Sequence, residues 1–85
     1  MAQDSDSTVY RFIADRLEDQ QRQDYALDGQ AAVTRYADAL RSAQQRHHAL
    51  LDACALGDEP AASEHRRALN ELAQPWVGHS DYPLR

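Results

Sequence analysis

Lysine is absent from this 85-residue chain; all nine basic residues are arginine. With the abundance of alanine, that reads as the composition of a GC-rich genome rather than as a functional trait. Cysteine occurs once, at Cys54. The chain therefore closes no internal disulfide, and a reducing cytosol is the expected setting. No apolar run approaches the ~20 residues needed to cross a bilayer, so no membrane role is expected. Met1–Ser7 is polar and acidic, with no apolar h-region, so no secretory leader is expected. There is no glycine-rich phosphate loop, no alternating strand pattern and no internal repeat. The paired histidine and cysteine spacings of structural zinc sites are missing too.

The chain carries a formal net charge of −5, and much of the imbalance lies early. Asp4, Asp6, Asp15, Glu18, Asp19, Asp24 and Asp28 outweigh Arg11, Arg16 and Arg22. Such a surface repels phosphate, so direct nucleic-acid binding is not expected. At this length one domain over residues 1–85 is expected, with a thin core that buries roughly 60–65% of the unfolded surface.

Apolar spacing predicts an all-α fold. Met1–Ser7 reads as a disordered start whose Asp4, Ser5, Asp6 and Ser7 offer N-caps. A first helix follows from about Thr8 to about Leu27, with Val9, Phe12, Ile13 and Leu17 on one face. Asp28-Gly29 breaks it, because glycine tolerates the positive φ that ends a helix. The second helix, about Gln30 to Leu56, has the clearest pattern. Val33, Tyr36, Leu40, Ala43, His47, Leu50 and Cys54 alternate spacings of three and four, with Ala37 and Leu51 beside them. Gly57 stops it, and Asp58-Glu59-Pro60 opens a third helix to about Gln74. Its apolar side is Ala61, His65, Ala68, Leu69, Leu72 and Trp76. Residues 76–85 are expected to be irregular. An antiparallel three-helix bundle, or a long helical hairpin with a short third helix and an irregular tail, fits this order.

The residues that could carry chemistry do not converge. His47 and His48 point about 100° apart on a helix, and His47 lies two turns from Cys54. A metal or small-ligand activity through His47, His48, Cys54 and His65 is a minor reading, and no metal, cofactor or substrate is expected. His79-Ser80-Asp81 holds the letters of a catalytic triad, but triad members converge from separate elements and three consecutive residues cannot. No enzymatic activity is expected.

The tail Leu72-Ala73-Gln74-Pro75-Trp76-Val77-Gly78-His79-Ser80-Asp81-Tyr82 resembles the closing motif of a family of short actinobacterial and actinophage proteins catalogued as a domain of unknown function. Phe12-Ile13-Ala14-Asp15-Arg16-Leu17-Glu18-Asp19 is similar to that family's start, and Val33 through Arg41 to its middle helix. Ser80 stands where the family has proline, and its additional cysteines are missing here. The resemblance implies an origin and an intracellular, cytoplasmic setting, and no activity.

The function expected is therefore that of a non-enzymatic protein–protein interaction module docking through a helical seam. The surface expected to be left over comprises Val33, Tyr36, Ala37 and Leu40, and the partner is a second copy of the chain or another protein. The alternative is an acidic inhibitor, a nucleic-acid mimic that blocks a basic site. Trp76 is expected beside Tyr36 and Leu40, with His79 and Tyr82 held near the bundle by packing.

Overall fold

A computed structural model describes residues 2–83, with side chains described from residue 7 onward. Its elements in chain order are α1 (Ala2–Asp28), α2 (Gln30–Leu56), α3 (Glu59–Ala73) and the short 3-10 turn η1 (Gln74–Trp76). There is no strand among the described residues. The fold is all-α: α1 and α2 form a long antiparallel hairpin, and α3 packs back along α2.

α2 starts and stops where its glycines place it. Gly29 has φ 57° and ψ −127°, and Gly57 has φ 70° and ψ 21°. Both have positive φ. Gly57 is in the left-handed helical region, which costs an L-residue with a Cβ roughly 1–2 kcal/mol, and Gly29 lies outside it, in a region that only glycine adopts readily. The Gly57 and Asp58 amides donate to the Cys54 and Ala53 carbonyls, closing the C-terminus of α2. Asp58 then caps α3: its Oδ1 accepts from the Ala61 amide at 3.2 Å, and Pro60 sits in the first turn, where no amide is needed. At its other boundary α1 differs from expectation. Of the expected disordered start, Met1–Ser7, the described residues Ala2–Ser7 are helical and part of α1 instead of an irregular lead-in to Thr8. Met1 and the caps expected of Asp4, Ser5 and Asp6 lie outside the described residues and side chains.

The core keeps the predicted α1 stripe, but of the α2 and α3 positions expected with it only Ala43, Leu50 and Leu69 are buried. Val33, Tyr36, Leu40, His47, Cys54, Ala61, His65, Ala68 and Trp76 are half-buried, and Leu72 is exposed, its place taken by alanines. Val9, Phe12, Ile13 and Leu17 of α1 are buried against Ala43, Leu50 and Ala53 of α2 and Ala62, Leu69 and Ala73 of α3. Ile13, Leu50 and Leu69 are its largest fully buried side chains. Because α1 and α2 have 27 residues each and α3 has 15, the third helix flanks only part of the hairpin. At 1.5 Å per residue it spans about 22 Å of a hairpin about 40 Å long.

The tail does not lie where counting along the helices predicts. Trp76 was expected beside Tyr36 and Leu40. The chain instead turns back after η1, the Val77, His79 and Tyr82 amides donating hydrogen bonds to the Gln74, Trp76 and His79 carbonyls. This carries the tail onto α1. Phe12 is ringed edge-on by Trp76 at 6.5 Å, His79 at 5.7 Å and Tyr82 at 5.7 Å between centroids. Arg16, one turn on, lays its guanidinium over the same ring at 5.5 Å. It also donates to the His79 imidazole and pairs with Asp19 at 3.0 Å. The Asp81 amide donates to His79 Nδ1, and Gln74 donates to the Tyr82 hydroxyl. Equal counting fails because it assumes a straight continuation of α3, and Pro75 and Gly78 allow a return instead.

Two measurements check this account. Gly29→Ala and Gly57→Ala both lower the midpoint of thermal unfolding followed by circular dichroism. Gly57→Ala costs about 1–2 kcal/mol and Gly29→Ala more, since ψ −127° at positive φ suits no L-residue. Phe12→Ala, at a buried ring with three aromatic neighbours, costs about 3–5 kcal/mol in denaturant unfolding, and Trp76→Ala, only half-buried, costs less.

Candidate functional site

Successive helical residues are 100° apart, so Ala14 and Glu18 point away from Phe12 and Arg16, two positions off in each case. The tail and α3 therefore occupy one face of the hairpin and leave the reverse face to solvent. On that face α1 presents Tyr10, Ala14, Glu18 and Gln21 at one-turn spacing. α2 answers with Val33, Ala37, Leu40, Gln44 and His48. The turn at Gly29 sets their register: Tyr10 lies level with His47, and Gln21 with Tyr36.

Two hollows follow one another along this groove. One, of about 350 Å³, is lined by Tyr10, Gln44, His47 and His48. The next, of about 160 Å³, is lined by Ala14, Leu17, Glu18, Gln21, Tyr36 and Leu40. The Tyr10 and His47 rings stack at one end, 4.4 Å apart and 3° from parallel, with Ser7 Oγ 3.4 Å from His47 Nε2. Tyr36 stands at the other end. Between them the floor is aliphatic, from Ala14, Leu17 and Leu40.

The Tyr36 end is fastened by polar groups. The Tyr36 hydroxyl donates to Asp24 Oδ2 at 2.5 Å. Arg35 reaches both Asp24 at 3.4 Å and Asp28 at 3.1 Å, and its guanidinium lies 5.2 Å from the Tyr36 ring. The bond to Asp24 holds the Tyr36 phenol above its ordinary pKa, because the carboxylate needs that proton; desolvation adds to this and Arg35 opposes it. The bond to Asp28 raises Arg35 in turn.

The surface residues expected from sequence thus belong to two environments. Val33, Tyr36 and Leu40 are half-buried and Ala37 is exposed. Tyr36 is not left over apolar surface: α1 runs the full length of α2, and Asp24 meets its hydroxyl. The tail residues Trp76, His79 and Tyr82 stand on the opposite face and cover none of the groove. Sequence reasoning missed the α1 wall. The signal was present in Tyr10, Ala14 and Gln21, but an alanine and a glutamine do not register as an apolar stripe.

The remaining chemistry-bearing groups are dispersed. His65 accepts from Arg46 at 3.0 Å across α2 and α3, His79 meets Arg16, and Cys54 is half-buried beside the core. Among the described residues no three His, Cys, Asp or Glu side chains gather to hold a metal ion. No helix among them is long and apolar enough to cross a membrane. No family model matches the chain, and no curated protein or solved structure matches it either.

The Tyr36 bond has a titration signature. A phenol whose folded pKa is raised contributes stability that is complete below about pH 10 and is lost as pH rises through the folded value. Absorbance at 295 nm should show Tyr36 ionising later than in the unfolded chain. Asp24→Asn should bring that tyrosine down, and a titration unchanged by the substitution would count against the bond.

Proposed function

We propose that this protein is a non-enzymatic interaction module whose docking surface is the groove on the reverse face of the α1–α2 hairpin. The observation that supports this is the one-sided cover of the hairpin. α3 and the tail both pack on the Phe12 face, while Ala14, Leu17, Tyr36 and Leu40 line an open channel on the other. Ala14 and Ala37 are small enough to admit a helix at close range, and Tyr10 and Tyr36 bound the channel at its ends. A partner's helical face with apolar side chains at i, i+4 and i+7 can pack on such a groove.

A groove of this kind needs no ligand chemistry beyond apolar contact and a polar rim, and Glu18, Gln21 and Gln44 supply the rim. The inhibitor reading draws less support. Asp19 is paired with Arg16 and Arg22, and Asp24 and Asp28 with Arg35. Much of the acidic first third is therefore neutralised within the chain instead of being presented to a basic partner. The resemblance of the tail to an actinobacterial and actinophage family, with the single cysteine, supports a cytoplasmic setting for this docking.

Photo-crosslinking tests the surface directly. A benzophenone-bearing residue replacing Ala37, exposed in the groove, should form covalent protein adducts in cells that produce the chain. The same residue replacing Ser63, exposed on α3, should form none. Equal yields from both positions, or no adduct at position 37, would overturn the proposal.

A further inference from the structure

We infer that the partner received by this groove is a second copy of the same chain, the two hairpins packed back to back about a two-fold axis running along the groove. This rests on the reading of the groove as a docking surface and adds the identity of what docks. The geometry that points to it is the arrangement of charge on the two lips.

Under that symmetry α1 of one copy lies over α2 of the other, antiparallel to it, and each residue meets the partner at its own level in the hairpin. Glu18 and Leu40 line the same hollow, so they share a level. Arg41 follows Leu40 on the outer lip of α2. Pairing therefore sets Glu18 of one copy against Arg41 of the other, and the symmetry repeats the contact. Both side chains are exposed, and Glu18 has no ion-pair partner among the described residues. Arg41 has only a loose partner, Asp38 at 3.6 Å, with both groups largely exposed. The alternative two-fold axis, across the groove, stacks α1 on α1 and brings the two Glu18 carboxylates together near its centre. Like charges there disfavour it.

Layer number agrees. Beyond the reach of α3 the hairpin has two helices and only one packed face, whereas two hairpins back to back make a four-helix layer with α3 of each copy outside. A closed two-fold pair is the commonest way for one surface to satisfy itself. The contact is small. About a dozen side chains per copy, at the ~30–40 Å² each that a standard interface implies, bury on the order of 400 Å² per partner. The dimer is therefore weak and concentration-dependent.

Sedimentation of the purified chain from about 10 μM to about 1 mM, a span that includes the weak end of specific affinity, tests this. The mass average should climb from 9.6 kDa toward twice that value. Glu18→Arg and Arg41→Glu should each weaken the dimer about tenfold, and the double reversal should restore it to within about threefold. Ala37→Glu should leave a monomer with unchanged helicity. A chain that stays monomeric to about 1 mM overturns the inference, as does a dimer indifferent to both charge reversals. If the purified chain is monomeric while position 37 crosslinks to a protein of another mass, the second copy is excluded and the docking groove stands.

Discussion

The turn at Gly29 governs the rest of the structure. A single residue in a backbone conformation closed to L-residues joins two helices of equal length, with no loop to absorb slippage. It therefore fixes the register of the whole hairpin. Tyr10 stacks on His47 and Asp24 accepts from Tyr36 because each pair stands at nearly equal distance from that glycine. The core alanines depend on the same register. Ala43 and Ala53 of α2 are buried in one cluster with Val9, Phe12, Ile13 and Leu17 of α1. A shift of one residue would turn every α1 side chain by 100° and place polar groups in the seam.

Much of this fold is legible in the sequence, because the punctuation is strong. Gly29, Gly57 and Asp58-Glu59-Pro60 bound α2 and open α3, and the structure keeps those bounds. The start of α1 was less legible, since the acids and serines that cap helices also suit their first turn. The tail was misplaced for a different reason. Helical periodicity carries no information about a return that follows a proline, and the aromatic ring around Phe12 is a contact between residues at opposite ends of the chain. The groove was half visible. Val33, Tyr36, Ala37 and Leu40 stood out as a stripe, but a heptad count merges residues that face α1 with residues that face outward. Burial separates them, leaving Ala37 in the open and Tyr36 bonded to Asp24.

The exclusive use of arginine has structural uses here. Arg16 serves Phe12, His79 and Asp19 together, and Arg35 spans two carboxylates while its planar head lies near the Tyr36 ring. A flat fork with several donors can do both at once, whereas a lysine ammonium offers no plane to stack. The thin core of a short chain is thus supplemented at two levels of the hairpin, by the Arg16 guanidinium over Phe12 near the middle of α1 and by a carboxylate–phenol bond at Tyr36 nearer the turn.

The return of the tail to Phe12 also bears on how the fold opens. α1 with α2, and α2 with α3, are neighbours in the chain and meet through short turns. The tail meets α1 from the other end of the sequence, but with α3 already packed on the hairpin only the residues after Ala73 are left for it to order. Its release is therefore expected as a local opening that leaves the three helices in place. Trp76, the one tryptophan, sits on that hinge between docked and free. Its emission responds to release of the tail as well as to loss of the helices, whereas far-ultraviolet dichroism follows mainly the helices, so a change in the first without the second marks the tail opening by itself.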